Sequence, residues 1–335
     1  MLNSPQLTFY CELPHQALTD LFADPSVAET LRQLGAAVSL GLLDLSQERA
    51  EVVRELNRTG IPVVAWLLLP EEQGYWFNLD NSAAALERYR EFRVWTGAEQ
   101  LRWAGIGLDI EPDIRLFANW RDNPWRTLAA ALWRLGDRGR LARARGDYHQ
   151  LIAAARQDGY RVDVYAFPLI ADERRAGSTL LQRLSGLVDL EADREVWMLY
   201  TSQLRPYGTG LLGSYGPEAQ SIAVGVTGGG VDTGVVDARP LSWSEFARDL
   251  LMARQSTEDI HIFSLEGCIE QGFLGRLVDF DWADALDAPV EAERQIDRLR
   301  RILRAGLAAS RWAWALALGA GGALVLARIQ SKRRG

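Results

Sequence analysis

Lysine is all but missing from this chain: of 335 residues the one lysine is Lys332, close to the C-terminal end. A Schiff-base mechanism or the attachment of pyridoxal phosphate needs a buried amine, so both are excluded. Histidine is nearly as scarce. His15, His149 and His261 are too few and too scattered for a histidine-rich zinc centre. Cys11 and Cys268 form no C-x-x-C pair and make no disulfide framework, so they suit a reducing compartment as well as any other. No basic stripe interleaved with aromatics runs through the body of the chain, and the formal net charge of −7 argues against binding nucleic acid. The opening Met1-Leu2-Asn3-Ser4-Pro5-Gln6 lacks the basic and apolar regions of a signal peptide. No cofactor and no metal centre is expected.

What is present is an ordinary folded composition, 48% apolar and 24% charged. One stretch stands out: Gly105-Ile106-Gly107-Leu108-Asp109-Ile110-Glu111-Pro112. As a strand it has two unlike faces. Ile106, Leu108 and Ile110 suit packing under helices; Gly105, Gly107, Asp109 and Glu111 point the other way. Pro112 then stops the ladder, having no N–H to donate.

Seven more strand patterns occur, over 7–13, 37–45, 61–70, 161–168, 196–202, 221–227 and 259–267. Helical patterns over 16–34, 46–57, 82–96, 123–135, 141–157 and 242–254 separate most of them, and no hairpin signal appears. Eight βα units in sequence predict an α/β fold, a single-domain (β/α)₈ TIM barrel over residues 5–305, with an open doubly wound sheet as the alternative. Amphipathic spacing at Val290, Ile296, Leu299 and Leu303 predicts a last helix over the barrel.

In a barrel the carboxyl ends of all strands share one face. That face would gather Glu12, Asp44, Asp109, Glu111, Tyr165, Tyr200, Ser264 and Glu266, with Trp66, Trp76 and Asn78 nearby. Acids, aromatics and amides together suit a carbohydrate: rings stack on sugar faces, amides bond hydroxyls, and carboxylates move the proton at a glycosidic oxygen.

The stretch from Gly105 to Glu111 resembles the fourth-strand motif of family 18 glycoside hydrolases, the chitinases and their relatives. That motif reads Asp-x-x-Asp-x-Asp-x-Glu, and its two earlier aspartates fall here on Ala104 and Gly107. The resemblance implies Glu111 as general acid and Asp109 as its partner. Met198-Leu199-Tyr200-Thr201 is similar to the family's Met-x-Tyr-Asp, with Thr201 in place of the aspartate. It implies that Tyr200 helps hold a substrate acetamido group.

The expected function is therefore acid-assisted cleavage of a glycosidic bond, with Glu111 as proton donor. Asp109 and Glu266 complete the catalytic set, and Glu12, Trp66, Trp76, Asn78, Tyr165 and Tyr200 bind the carbohydrate. Either a substrate acetamide supported by Asp109, or Glu266 or Glu12, would act at the far side of the bond. A non-catalytic glycan-binding or structural barrel is one alternative. A metal- or phosphate-dependent sugar lyase or isomerase is another, with phosphate at Gly228-Gly229-Gly230 and a divalent cation among Asp44, Asp109 and Glu111.

The tail, residues 306–335, holds sixteen uncharged residues over 312–327, bordered by Trp312 and Trp314 and by arginines on both sides. It is expected to form an apolar helix that anchors the protein in a membrane. As a helix those residues span about 24 Å, so bilayer thinning and snorkelling by Arg311 and Arg328 are invoked to complete the crossing. Basic residues on the two flanks place the barrel on the cytoplasmic side.

Overall fold

The computed structural model describes residues 4–116, 125, 135, 137–230, 239–284 and 289–332, the side chains of 138 and 312–332 excepted. Eight parallel strands close a barrel in chain order. They are β1 (Gln6–Cys11), β2 (Ala37–Leu42), β3 (Val63–Leu67), β4 (Gly105–Ile110), β5 (Val162–Ala166), β6 (Arg194–Met198), β7 (Ser221–Gly225) and β8 (Asp259–Phe263). All eight expected strands are present and helices separate them, so the (β/α)₈ fold holds. Closure joins the first to the last, with Thr8 opposite His261 and Tyr10 opposite Phe263.

Alternation along the strands sorts side chains into two cores. Phe9, Val38, Ile106, Leu108, Val164, Ile222 and Ile262 pack outward beneath the helices. Tyr10, Trp66, Tyr165, Val196, Met198 and Ala223 form a second cluster in the interior. Strands buried on both sides need little polar surface, which is why β3 reads Val-Val-Ala-Trp-Leu.

Polar groups close the amino end of the barrel. Arg194, the first residue of β6, pairs with Asp163 on β5 and Asp259 on β8, and Ser221 Oγ donates to Asp259 at 2.6 Å. Asp163 is also held by Arg161 at 3.0 Å. His261 is wholly buried above them, and burial pushes its pKa down, keeping the ring neutral.

Two expectations change. The single helix over 16–34 is two, His15–Ala23 and Pro25–Gln33, because Pro25 cannot continue a ladder and instead starts a new helix. Asp24 caps it, accepting from Ser26 N at 2.9 Å. The helix expected over 123–135 lies outside the described residues, apart from 125 and 135.

The second change concerns the C-terminal helix. It runs unbroken as Val290–Lys332, across residue 305. Its buried face carries Ile296, Arg300 and Leu307, while Leu299 is 59% exposed. Arg300 shifts the face: it is buried against Asp172 and Glu218, with its guanidinium 3.7 Å from the Tyr215 ring centre. The expected membrane-crossing segment is not found: among the described residues no helix is long and apolar enough to cross a membrane. The uncharged run is short for the task, about 24 Å against a ~30 Å hydrocarbon core, and its side chains lie outside those described.

Arg194→Ala would strip the buried Asp163 and the half-buried Asp259 of their shared cation. The expected cost is about 3 kcal/mol, since Arg161 remains beside Asp163; urea denaturation at neutral pH measures it.

Candidate active site at the carboxyl end of the barrel

The acids of β4 are held by a neighbouring loop. Phe77, ten residues after the end of β3 at Leu67, bridges to Ile110 in parallel. Its N–H donates to Asp109 O at 3.0 Å, and its carbonyl accepts from Glu111 N at 3.1 Å. This keeps 109–111 extended beyond the formal strand, so both carboxyls emerge on one face. Asp109 is buried and Glu111 half-buried.

The same loop supplies a residue that sequence reading overlooked. Tyr75 has φ 65°, a left-handed conformation that costs a non-glycine residue roughly 1–2 kcal/mol. Its hydroxyl donates to Glu12 Oε1 at 2.5 Å, a buried hydrogen bond worth about 0.5–1.5 kcal/mol net that offsets much of that strain. The only hint in the sequence is the aromatic and amide-rich loop itself.

Glu12 follows β1 directly, and its N–H donates to Glu266 Oε1 at 3.3 Å. Glu266 does not continue β8. Ser264 ends the strand and caps the helix Leu265–Glu270, accepting from Gly267 N at 3.1 Å. Glu266 thus sits in a first helical turn, displaced from the expected strand tip but beside Glu12. Gly229 packs over it; a Cβ there would lie 2.6 Å from Glu266 Oε1.

Burial and mutual repulsion set the protonation of this group. Burial pushes the Glu12 carboxyl up to about 8; Glu266 and Glu111 add to the rise, and the Tyr75 bond opposes it. Burial pushes Glu111 up to about 8 as well, against the opposing hydrogen bond with Asp109. Asp109 rises well above the carboxylate range through burial and then through Glu111 and Glu12. Burial also raises Glu266, with the N–H groups of Glu266 and Glu12 opposing. The four form one electrostatically coupled set, linked through Glu12.

Aromatic residues floor the site. Tyr10 meets Tyr165 edge to face at 4.8 Å and Trp66 at 5.4 Å. Tyr200 packs on Phe263 at 5.9 Å, close enough to Asp109, Glu111 and Glu12 for all three to raise its pKa. Tyr165 fills the gap at Gly107: a Cβ on Gly107 would lie 2.3 Å from its hydroxyl, which bonds Ser39 Oγ at 2.7 Å. The Trp66 indole N–H lacks a hydrogen bond of ordinary geometry yet lies near enough to Asp109 to oppose the rise of its pKa.

Other expected residues fall elsewhere. Asn78 is buried within the loop: Nδ2 donates to Trp76 O at 3.1 Å, Oδ1 accepts from Asp80 N at 2.9 Å, and its carbonyl accepts from Tyr148. Trp76, by contrast, stays in the cluster of Tyr10, Trp66, Tyr165 and Tyr200, buried against Tyr75 with ring centres 5.3 Å apart. Asp44 is claimed by Arg49, at 3.0 Å, and by Ser46. Thr201 bonds Asp249. Among the described residues no group of three or more His, Cys, Asp and Glu is placed to hold a metal. The triple glycine faces Glu266 and Glu12, which would repel the phosphate it was expected to cradle.

No family model matches the chain, and no curated protein does. Among solved structures it is similar to a GH18 chitinase from Pseudoalteromonas aurantia, at 11% identity and TM-score 0.47, over 82% of this chain and 100% of that one. It is similar to a xylose isomerase-like TIM barrel protein from Mycobacterium smegmatis in complex with magnesium, at 12% identity and TM-score 0.43, over 82% and 97%. A variant of Saccharomyces cerevisiae Gas2p in complex with laminaritetraose and laminaripentaose matches at 14% identity and TM-score 0.39, over 78% and 56%. At these identities and TM-scores none of them assigns this chain a function.

The raised carboxyls link stability to pH. The folded chain keeps protons on Glu12 and Glu111 up to about pH 8, whereas a free glutamate releases them near 4.5. Stability contributed by these groups is therefore lost as pH rises from about 4.5 to 8, and levels off above. Glu12→Gln should stabilise the protein at a pH above 8 by at least ~1.4 kcal/mol, the equivalent of one pKa unit, with little effect at pH ~5. Thermal melts across pH would show it; equal effects at both ends would contradict the burial account.

Proposed function

We propose that this barrel cleaves a glycosidic bond by acid-assisted catalysis, with Glu111 as proton donor. The observation that carries the reading is the Asp109–Glu111 pair. A general acid must still hold its proton at working pH, and a carboxyl pushed up to about 8 does so at neutrality. Asp109 is also raised well above the carboxylate range, by burial and by the Glu111 charge beside it, so a Glu111 carboxylate left behind favours a proton on Asp109. It can then donate a hydrogen bond to the carboxylate left behind, stabilising the leaving step.

The far side of the bond falls to Glu12 and Glu266. Close carboxyls cannot all ionise together. Near pH 8 some therefore hold protons while others have lost them, and acid and base coexist in one pocket. An ionised member can steady the oxocarbenium-like transition state or take a proton from attacking water. Tyr10, Trp66, Tyr165 and Tyr200 give the sugar an apolar surface to lie on.

A glycan-binding barrel without turnover is the second reading. What favours it is the fate of two motif positions: Gly107 is covered by Tyr165, and Thr201 is tied to Asp249.

A panel of aryl glycosides, assayed with and without chelator, tests the proposal. Hydrolysis unaffected by chelator is expected, and its rate should fall as pH rises above about 8, where Glu111 loses its proton. Glu111→Gln should lower turnover at least ~10²-fold, the usual contribution of a general acid. Full activity in that variant would remove Glu111 from the role; no hydrolysis across a broad panel would favour the second reading.

A further inference from the structure

We infer that the site takes a sugar bearing a protonated amine, a hexosamine unit, whose ammonium group sits among the carboxyls of Glu12, Asp109, Glu111 and Glu266. The inference rests on the glycosidase reading only in taking the ligand to be a glycan.

The site is an unbalanced charge set. Among the described residues no ion pair reaches any of the four acids, although arginines lie around the barrel mouth. Arg49 is fully buried and spent on Asp44 and on the carbonyls of Gly41 and Leu13. Arg88 bonds the carbonyls of Leu68 and Leu42. Arg115 pairs with Asp113, and Arg205 with Glu245. With lysine confined to position 332, the described chain offers the four acids no cation, and a ligand cation would supply one.

Acceptors wait inside. Asp109 is 3% exposed, and its Oδ1 has no partner; nor does Glu266 Oε2. The Tyr10 hydroxyl, on a side chain 1% exposed and within the electrostatic reach of Asp109, is likewise unpartnered. Buried polar atoms of this kind are normally satisfied, and here all three belong to one electrostatically linked group at the carboxyl end of the barrel. An ammonium offers three donors to carboxylate oxygens, and the rings of Tyr10, Trp66 and Tyr200 present faces that attract a cation. A uronate, sialyl or phosphorylated sugar brings the set no cation, and its own charge opposes ionisation of the carboxyls.

Binding has a proton signature. An ammonium entering the set favours ionised carboxylates, so a proton held by Glu12, Asp109, Glu111 or Glu266 leaves to solvent while the amine keeps its own. The other titratable groups facing the set are Cys11, Cys268, Tyr10, Tyr75, Tyr165 and Tyr200. Burial raises all six, so they stay protonated and the released proton comes from a carboxyl. A neutral sugar leaves the set protonated and releases none.

Isothermal titration calorimetry on the full chain tests this with tetrasaccharides of glucosamine, N-acetylglucosamine, glucose and galacturonic acid. Runs at about pH 6, below the ~7.7 of an ordinary α-amino group, use two buffers of unlike ionisation enthalpy. The glucosamine tetramer should bind at least ~10-fold more tightly than the acetylated and glucose tetramers, as a charge-assisted bond implies. It alone should release about one proton, and galacturonate should not bind. Glu12→Gln should cut the preference at least ~3-fold, since it removes one of the carboxyls able to ionise against the ammonium. Equal or tighter binding of the acetylated or glucose tetramer, binding of galacturonate, or no binding by glucosamine would overturn the inference. Product analysis in the same samples judges the other reading separately. Glucosamine binding without cleavage would leave this inference standing and remove the hydrolase; cleavage without amine preference would do the reverse.

Discussion

A ring of eight parallel strands has no free edge, and that closure governs everything else in this molecule. Backbone groups within the ring are satisfied by their neighbours, so the polar side chains of the interior must find partners among themselves. At the amino end they do: Arg194 holds Asp163 and Asp259, and Ser221 completes the set. At the carboxyl end the same closure brings Glu12, Asp109, Glu111 and Glu266 together without a described cation. One end is a charge-balanced plug; the other is poised for protons.

Between the two ends, packing decides which chemistry is available. Gly107 leaves room that Tyr165 enters, fastened to Ser39. A carboxylate at 107 would compete with that ring for the same space. Position 107 thus serves an aromatic floor, and the acids of the site come from the residue after β1, from the end of β4 and from the turn after β8. The loop that carries Tyr75 and Phe77 reaches both groups: Phe77 pins the backbone of 109–111, and Tyr75 holds Glu12.

The barrel was legible because its strands are either alternating or wholly apolar, and each signal survives without knowledge of neighbours. Asp109 and Glu111 were legible for the same reason, as carboxylates at a strand end stopped by Pro112. What depended on distant contacts was not. Glu266 reads as strand, since nothing local shows that Ser264 will cap a turn there. Tyr75 reads as loop, because its bond to Glu12 spans 63 residues. Asp44 and Asn78 look available until Arg49 and the bracing of the loop claim them. Leu299 looks like core until Arg300, bound to Asp172, turns the helix face.

The bond from Glu12 N to Glu266 crosses 254 residues of chain. On a ribosome adding roughly 5–20 residues per second, the first of these residues exists for some ten to fifty seconds before the second. For that interval β1 has no closing partner, and the nascent chain presents an open, apolar strand edge of the kind that invites pairing with other chains. Closure removes the hazard and assembles the acid set in one event. A truncated product that lacks the last βα unit would therefore have neither a site nor a safe edge, so competence and solubility arrive together.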